Sequence, residues 1–188
     1  MSIVLASQSP RRRELLEMLG VRDLKIIPAD EDEAQPQLPP GDTVCAIALQ
    51  KAQSVARLCG DEDVVIAADT LVYLDNEALG KPCSREDAAG MLRRLSGRAH
   101  SVFTGVAIIK NGACITRAEE TKVFFRELTQ SEIDAYVKTG EPDDKAGAYA
   151  AQGLASIFIR RIEGDFFNVM GLPLCAMHEM LKSLGVTL

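Results

Sequence analysis

The stretch Met1-Ser2-Ile3-Val4-Leu5-Ala6-Ser7-Gln8-Ser9-Pro10-Arg11-Arg12-Arg13-Glu14-Leu15-Leu16-Glu17-Met18-Leu19-Gly20 decides how the rest of the chain is read. Its apolar run, Ile3 to Ala6, predicts a buried strand. Ser9 holds a favoured N-cap position, and Pro10 suits the first helical position, where a missing N–H costs nothing. Leu15, Leu16, Met18 and Leu19 predict the apolar face of a helix that Gly20 ends.

Arg11, Arg12 and Arg13 fall in the first turn of that helix, where cations oppose the macrodipole. An anion is one reason to keep them there. Free N–H groups, hydroxyls and guanidinium forks converging after a strand make a phosphate or carboxylate site. A solvated basic first turn is the other reading, and these residues alone leave both open.

At 188 residues the chain is long enough for a sizeable core, in one domain or one two-lobed unit. Its net charge of -6 argues against a general nucleic-acid binder, which carries a basic footprint, but not against a local basic cleft for a small polyanion. The cysteines, Cys45, Cys59, Cys83, Cys114 and Cys175, are odd in number and scattered, with only His100 and His178 to add. Zinc ligation is therefore not expected, and reduced, mostly buried thiols are. The opening residues lack the charged leader and apolar length of a signal peptide, and no later run has the length of a membrane span. A soluble, cytoplasmic chain is expected.

Further along, Leu24 to Pro28 predicts a second strand, and the acidic, proline-rich Asp30 to Gly41 a loop. That loop is either a solvated linker or a mobile carrier of carboxylates for a metal or substrate. Asp42 can cap a helix over Thr43 to Leu58 with Val44, Ile47, Ala48, Val55 and Leu58 apolar. Lys51, four positions after Ile47, projects from the edge of its packed face. Val64 to Ala68 has the character of a fully buried strand, and a second apolar run, Leu71 to Leu74, follows Asp69-Thr70 at once. A carboxylate between two buried runs must be neutral, paired or coordinated, because an isolated buried charge is too costly.

Lys81 follows as an exposed lysine beside Pro82. Ser84 starts a helix in which Met91, Leu92 and Leu95 face inward, with Gly97 as the stop. His100 to Ile109 and Ala113 to Phe125 are strands joined by the hairpin signal Asn111-Gly112. Thr129 and Glu132 form a capping box for a helix ending near Lys138, with Gly140 after it. The loop Glu141 to Gly153, with small residues and one aromatic, suits the close approach of backbone to a flat ligand. Ser156 to Ile162 and Phe166 to Met170 predict a terminal hairpin, and Leu174 to Leu184 the last helix. No repeat or linker divides the chain, and the alternation of elements predicts an α/β protein with a mixed sheet.

The inventory is Arg11, Arg12, Lys51 and Lys81 as cations, and Asp69 with the acidic loop as carboxylates. There is no Walker glycine loop, no G-x-G-x-x-G fingerprint and no readable nucleophile triad. Cations and carboxylates without a nucleophile fit metal-assisted hydrolysis of a phosphoric anhydride.

The run LASQSPRRRELLEMLG resembles the signature of the Maf family, septum formation proteins and nucleoside triphosphate pyrophosphatases. The resemblance continues through Glu33, LQKA at Lys51, AADT at Asp69-Thr70, GKP at Lys81, LSGRAHSVFTGVA, GEPDDKAGAYAAQG and EGDFFNVMGLPL. It covers nearly the whole chain in order. Ala67 and Ala150 stand where relatives often have glycine, a small-for-small change in each case.

The resemblance implies hydrolysis of a nucleoside triphosphate between its α and β phosphates, with Mg²⁺ or Mn²⁺. It implies Asp69 as general base, Ser7, Arg11 and Arg12 at the nucleotide end, Lys51 and Lys81 on the phosphates, and Glu33 with Asp69 serving the metal. Arg12, Thr70 and Gln152 match the branch acting on dTTP and UTP, and a Gln amide can pair with the O4/N3–H edge of uracil. It further implies one domain over 1–188, a mixed twisted sheet with flanking helices, and two lobes around a nucleotide cleft, as in inosine triphosphate pyrophosphatases. The implied partners are a nucleoside triphosphate and often a second copy in a homodimer, with no membrane and no stable nucleic-acid binding. The family name carries a rival class, a division inhibitor that binds a partner or nucleotide without turnover.

Overall fold

The computed structural model describes residues 2–21, 23–29 and 38–188, so the acidic segment with Glu33 lies outside the described residues. The elements in chain order are β1 (Ile3–Leu5), α1 (Pro10–Met18), β2 (Leu24–Ile26), α2 (Pro40–Ala56), β3 (Val64–Leu74), β4 (Glu77–Leu79) and α3 (Arg85–Leu95). They continue as β5 (Ala99–Lys110), β6 (Ala113–Phe125), α4 (Gln130–Lys138), β7 (Ile159–Glu163), α5 (Phe166–Met170) and α6 (Leu174–Ser183). Short 3-10 turns at Glu141–Asp144, Ala146–Ala148 and Leu154–Phe158 lie between α4 and β7. The strands form one mixed sheet in the order β2-β1-β3-β5-β6-β7, with β4 on β3. The expected α/β class with a mixed sheet and flanking helices is the class observed.

The chain forms two compact units, one of Met1–Asp69, Thr104–Glu119 and Gly171–Leu188, the other of Thr70–Phe103 and Glu120–Met170. In the first, β1 pairs parallel with both β2 and β3, in the register Leu5↔Ile26 and Leu5↔Ile66. Ala48, Ala52 and Val55 of α2 pack with Val4, Ala6, Val65, Ala67 and Ala107. The small side chains bring helix and sheet close together. At Gly105 the approach is tightest, since a Cβ there would stand 2.4 Å from the Val44 carbonyl carbon and oxygen and 2.6 Å from the Cys45 nitrogen. Leu174, Met177, Met180 and Leu181 of α6 are buried, as their spacing predicts.

In the second unit β4 pairs antiparallel with the end of β3, and β7 antiparallel with β6. Its core joins Leu92 and Leu95 of α3, Ile133 and Tyr136 of α4, and Phe125 and Phe158. The capping box of Thr129 and Glu132 is formed at α4, and the Ser84 side chain accepts from the Asp87 N–H at α3. The hairpin at Asn111-Gly112 has φ of 49° and 74°, the left-handed pair that the Asn-Gly signal implies.

Several local expectations give way. Helix α2 starts at Pro40 with Pro39 as N-cap, and Asp42 falls inside its first turn, where its charge suits the dipole. Leu58 lies beyond the end of α2 and is 71% exposed. Leu15 and Leu16 are buried on α1, but Met18 and Leu19 are exposed, because the helix buries little beyond one turn. Ser9 caps α1 by position without a side-chain bond. Residues 64–74 form one strand, not two runs broken at Asp69. The expected terminal hairpin is absent: Phe166–Met170 is helical, started by the Asp165 carboxylate accepting from the Phe167 N–H at 2.8 Å. None of the cysteines is buried; Cys45 and Cys59 are half-buried, while Cys83, Cys114 and Cys175 are exposed, and all are free thiols.

Candidate active site

Asp69 lies within a strand whose other residues are mostly enclosed. Val64 to Ala68, Leu71 and Val72 are buried, whereas Asp69 and Thr70 are half-buried. The pleat cannot turn a carboxylate into a core without a partner. Lys51 supplies it, with Nζ donating to Asp69 Oδ1 at 2.8 Å and side-chain exposures of 16% and 18%. Lys51 reaches there because it stands one turn after Ile47 and one before Val55, both buried against the sheet. Asp69 Oδ2 has no hydrogen bond to any of the described residues.

The arginine turn lies in the same unit. Arg12 Nε donates to the Gly171 carbonyl at 2.8 Å, and Nη1 donates to Ser7 Oγ at 3.1 Å. Ser7 Oγ also accepts from the Ser9 N–H at 3.2 Å, so its own proton remains available to an outside acceptor. Arg11 is half-buried in the same first turn. Strands β1 and β3 run parallel with Leu5 opposite Ile66, so Ser7 and Asp69 both follow the carboxyl side of that pairing. In open α/β sheets this is the side on which ligands bind.

The second unit holds Thr70, Lys81 and Gln152. Thr70 is half-buried on β3, while Lys81, beyond β4, and Gln152, ahead of the last 3-10 turn, are exposed. Their segments are joined where the Gly147 N–H donates to the Gly80 carbonyl at 3.0 Å. Gly147 has φ +67°, and a Cβ there would meet the Val72 side chain at 2.9 Å, so this junction needs glycine. Lys51 thus meets Asp69, and Arg12 meets Ser7, while the segments of Lys81 and Gln152 are joined between Gly80 and Gly147. Glu33 lies outside the described residues.

Four residues around the Gln152 segment carry structure that no sequence pattern announced. Tyr149 Oη lies 2.8 Å from His100 Nε2, and burial pulls the His100 pKa down to about 4, so the imidazole is neutral. His100 Nδ1 is buried with no partner among the described residues. Tyr136 and Glu141 bond to the backbone on either side of Gln152. The aromatic residue in the loop was the one visible signal. Its partner His100 lies 49 positions earlier, beyond any local pattern.

The family model described as Maf-like protein matches residues 2–184. A dTTP/UTP pyrophosphatase of Pelotomaculum thermopropionicum is 50% identical over 186 residues, covering 97% of this chain and 96% of that protein. A dTTP/UTP pyrophosphatase of Thermoanaerobacter sp. strain X514 is 45% identical over 184 residues, with the same shares covered. The Staphylococcus aureus Ham1 protein shares the fold, with a TM-score of 0.52 at 14% identity over 97% of this chain and 99% of that one.

Proposed function

Because the chain belongs to the Maf-like protein family, we propose that it is a nucleoside triphosphate pyrophosphatase acting on dTTP and UTP. The observation that carries the reading is Asp69, a half-buried carboxylate with one oxygen on Lys51 and the other bonded to none of the described residues. Relatives at 45% and 50% identity that are named dTTP/UTP pyrophosphatases support the substrate class.

In this reading a water molecule attacks the α phosphorus, the bond to the bridging oxygen of the β phosphate breaks, and nucleoside monophosphate and pyrophosphate leave. Asp69 accepts the proton of the attacking water. Lys51 orients the carboxylate, and its charge also faces the phosphates. Lys81 adds a second cation for the leaving pyrophosphate. Arg11, Arg12 and the Ser7 hydroxyl bind the nucleotide end, with Arg12 held by Gly171 and Ser7 so that its fork is set before substrate arrives. Thr70 and Gln152 read the base, the Gln amide donating to O4 and accepting from N3–H.

Asp69 and Glu33 are the carboxylates proposed to hold a divalent cation, Mg²⁺ or Mn²⁺. A set of one or two carboxylates fits a hard ion that takes its remaining ligands from phosphate and water. When bound, such an ion neutralises phosphate charge and aligns the triphosphate. We also propose that residues 1–188 act as one catalytic domain on cytoplasmic nucleotides. No helix among the described residues is long and apolar enough to cross a membrane.

The test is to assay pyrophosphate release by the purified protein with Mg²⁺ or Mn²⁺ across a nucleotide panel, beside an Asp69→Asn variant. Release from dTTP and UTP by the wild type and its loss in the variant are expected. Equal release by both proteins removes Asp69 from its role, and no release by either leaves the binding-only regulator in place of the catalytic reading.

A further inference from the structure

The segment carrying Gln152 is held at both ends by one side-chain pair. Tyr136, on the last turns of α4, has its hydroxyl donating to Glu141 Oε1 at 2.9 Å. The same hydroxyl oxygen accepts the Ala150 N–H at 3.3 Å. Beyond Gln152, the Leu154 N–H donates to Glu141 Oε2 at 3.0 Å and the Ala155 N–H to Oε1 at 3.4 Å. The direction of every proton is fixed. A carboxylate only accepts and an amide only donates, so the phenol must give to one and receive from the other.

Gly153 completes the arrangement. A Cβ at that position would lie 2.5 Å from both Glu141 carboxylate oxygens, so any side chain there would push the carboxylate off the place its bonds require. Its φ of -102° is open to any residue, and the requirement is therefore contact with Glu141 alone. Burial first, and next the Glu141 carboxylate, push the Tyr136 phenol well above its ordinary range, which keeps its proton in place for the bond. Beneath, the Tyr136 ring packs edge-on against Phe158 at 5.2 Å between centroids. Gln152 itself stays exposed between two tethered points.

We propose that Glu141, acting with Tyr136, is a positioning residue that sets the place of Gln152 and thereby the choice of base. The inference rests on the dTTP/UTP reading and on Gln152 as the base reader. An amide that must donate and accept at once along one edge of uracil tolerates little displacement, and a tethered backbone supplies the constraint. Neither Glu141 nor Tyr136 needs to touch the nucleotide for this. The segment also has the short span that makes a tether effective, since the fixed N–H groups of Ala150 and Leu154 flank Gln152 closely on both sides.

The experiment compares wild type with Glu141→Gln, Tyr136→Phe and Gly153→Ala, each first shown by thermal unfolding to be folded. Steady-state kinetics with UTP, dTTP and GTP are combined with amide hydrogen exchange. Glu141→Gln puts an NH₂ group where acceptors are needed, and Gly153→Ala crowds the carboxylate off its bonds without removing a charge. Each is expected to speed exchange at Leu154 and Ala155, and to lower kcat/KM for UTP about ten- to a hundredfold, mainly through KM. The preference for UTP over GTP should fall in parallel. Tyr136→Phe should free the Ala150 N–H and give the same change in preference. Folded, active variants with faster exchange but an unchanged UTP-to-GTP preference overturn this inference while leaving the enzyme reading intact. A wild-type protein that hydrolyses no pyrimidine triphosphate removes both.

Discussion

Lys51 Nζ lies 2.8 Å from Asp69 Oδ1, joining the middle of α2 to the strand it packs upon. The carboxylate of a largely buried strand is thereby held by a cation of the kind that also suits a triphosphate. Both members of this ion pair are less than a fifth exposed, so the contact is largely withdrawn from water.

Asp69→Asn is therefore expected to lower kcat by about a hundredfold or more, the usual contribution of a positioned general base. Affinity for the nucleotide measured without divalent metal should hold, because the amide keeps an acceptor for Lys51. Single-turnover pyrophosphate release set against equilibrium nucleotide binding separates the two. Loss of binding in step with loss of turnover would take Asp69 out of the proton-transfer role.

Arg12→Lys is expected to raise KM for dTTP and UTP about tenfold, with a smaller change in kcat. An ammonium on a flexible stem cannot hold the Gly171 carbonyl through Nε and Ser7 Oγ through Nη1 together. Initial rates over a range of substrate concentrations measure this, and an unchanged KM would exclude Arg12 from nucleotide binding.

Gly105→Ala is expected to destabilise the protein by about 3 kcal/mol, at the upper end of overpacking effects. The new methyl would meet the Val44 and Cys45 backbone, which cannot turn aside as a side chain can. Urea denaturation at neutral pH provides the measurement. A change of less than about 1 kcal/mol would mean that α2 can move off the sheet freely.

His100 predicts an acid-sensitive stability. Burial holds its pKa near 4 in the folded protein, against an ordinary value of 6.5. Among the described residues the ring meets the Tyr149 hydroxyl and the Tyr149 and Phe125 rings, and no carboxylate is bonded to it. The unfolded chain takes up a proton as the pH falls through 6.5, while the folded protein does not until about 4. Stability is thus undiminished above the higher value and declines between the two, by about 3 kcal/mol in all. Urea unfolding between pH 4.5 and 7.5 should show a shallower slope for His100→Gln than for the wild type. Parallel slopes would exclude His100 as the source.

Elements written in neighbouring residues were legible before any coordinates. The capping box of Thr129 and Glu132, the Asn111-Gly112 hairpin and the buried face of Leu174, Met177, Met180 and Leu181 each rest on contacts a few positions apart. Phe166 to Met170 misled because a short apolar run has no period of its own. What decides it is Asp165 at its start and the side-chain amide of Asn168, which is buried and donates to Val102 O and Thr121 Oγ1. Leu58 misled for the converse reason, since apolar spacing does not say where a helix stops.

The list of charged groups, and the family they point to, can be written from the one-dimensional chain, because residue identity carries chemistry. Their pairing cannot. Lys51 finds Asp69 only because α2 lies on β3, and Tyr136 reaches Ala150 while Glu141 reaches Leu154 only once α4 and the loop after it have folded back. Those partners are separated by 18, 14 and 13 positions, and no helical or strand repeat brings such distances together. Packing does so, because burial of the apolar faces sets where each element lies, and the polar groups meet as a consequence.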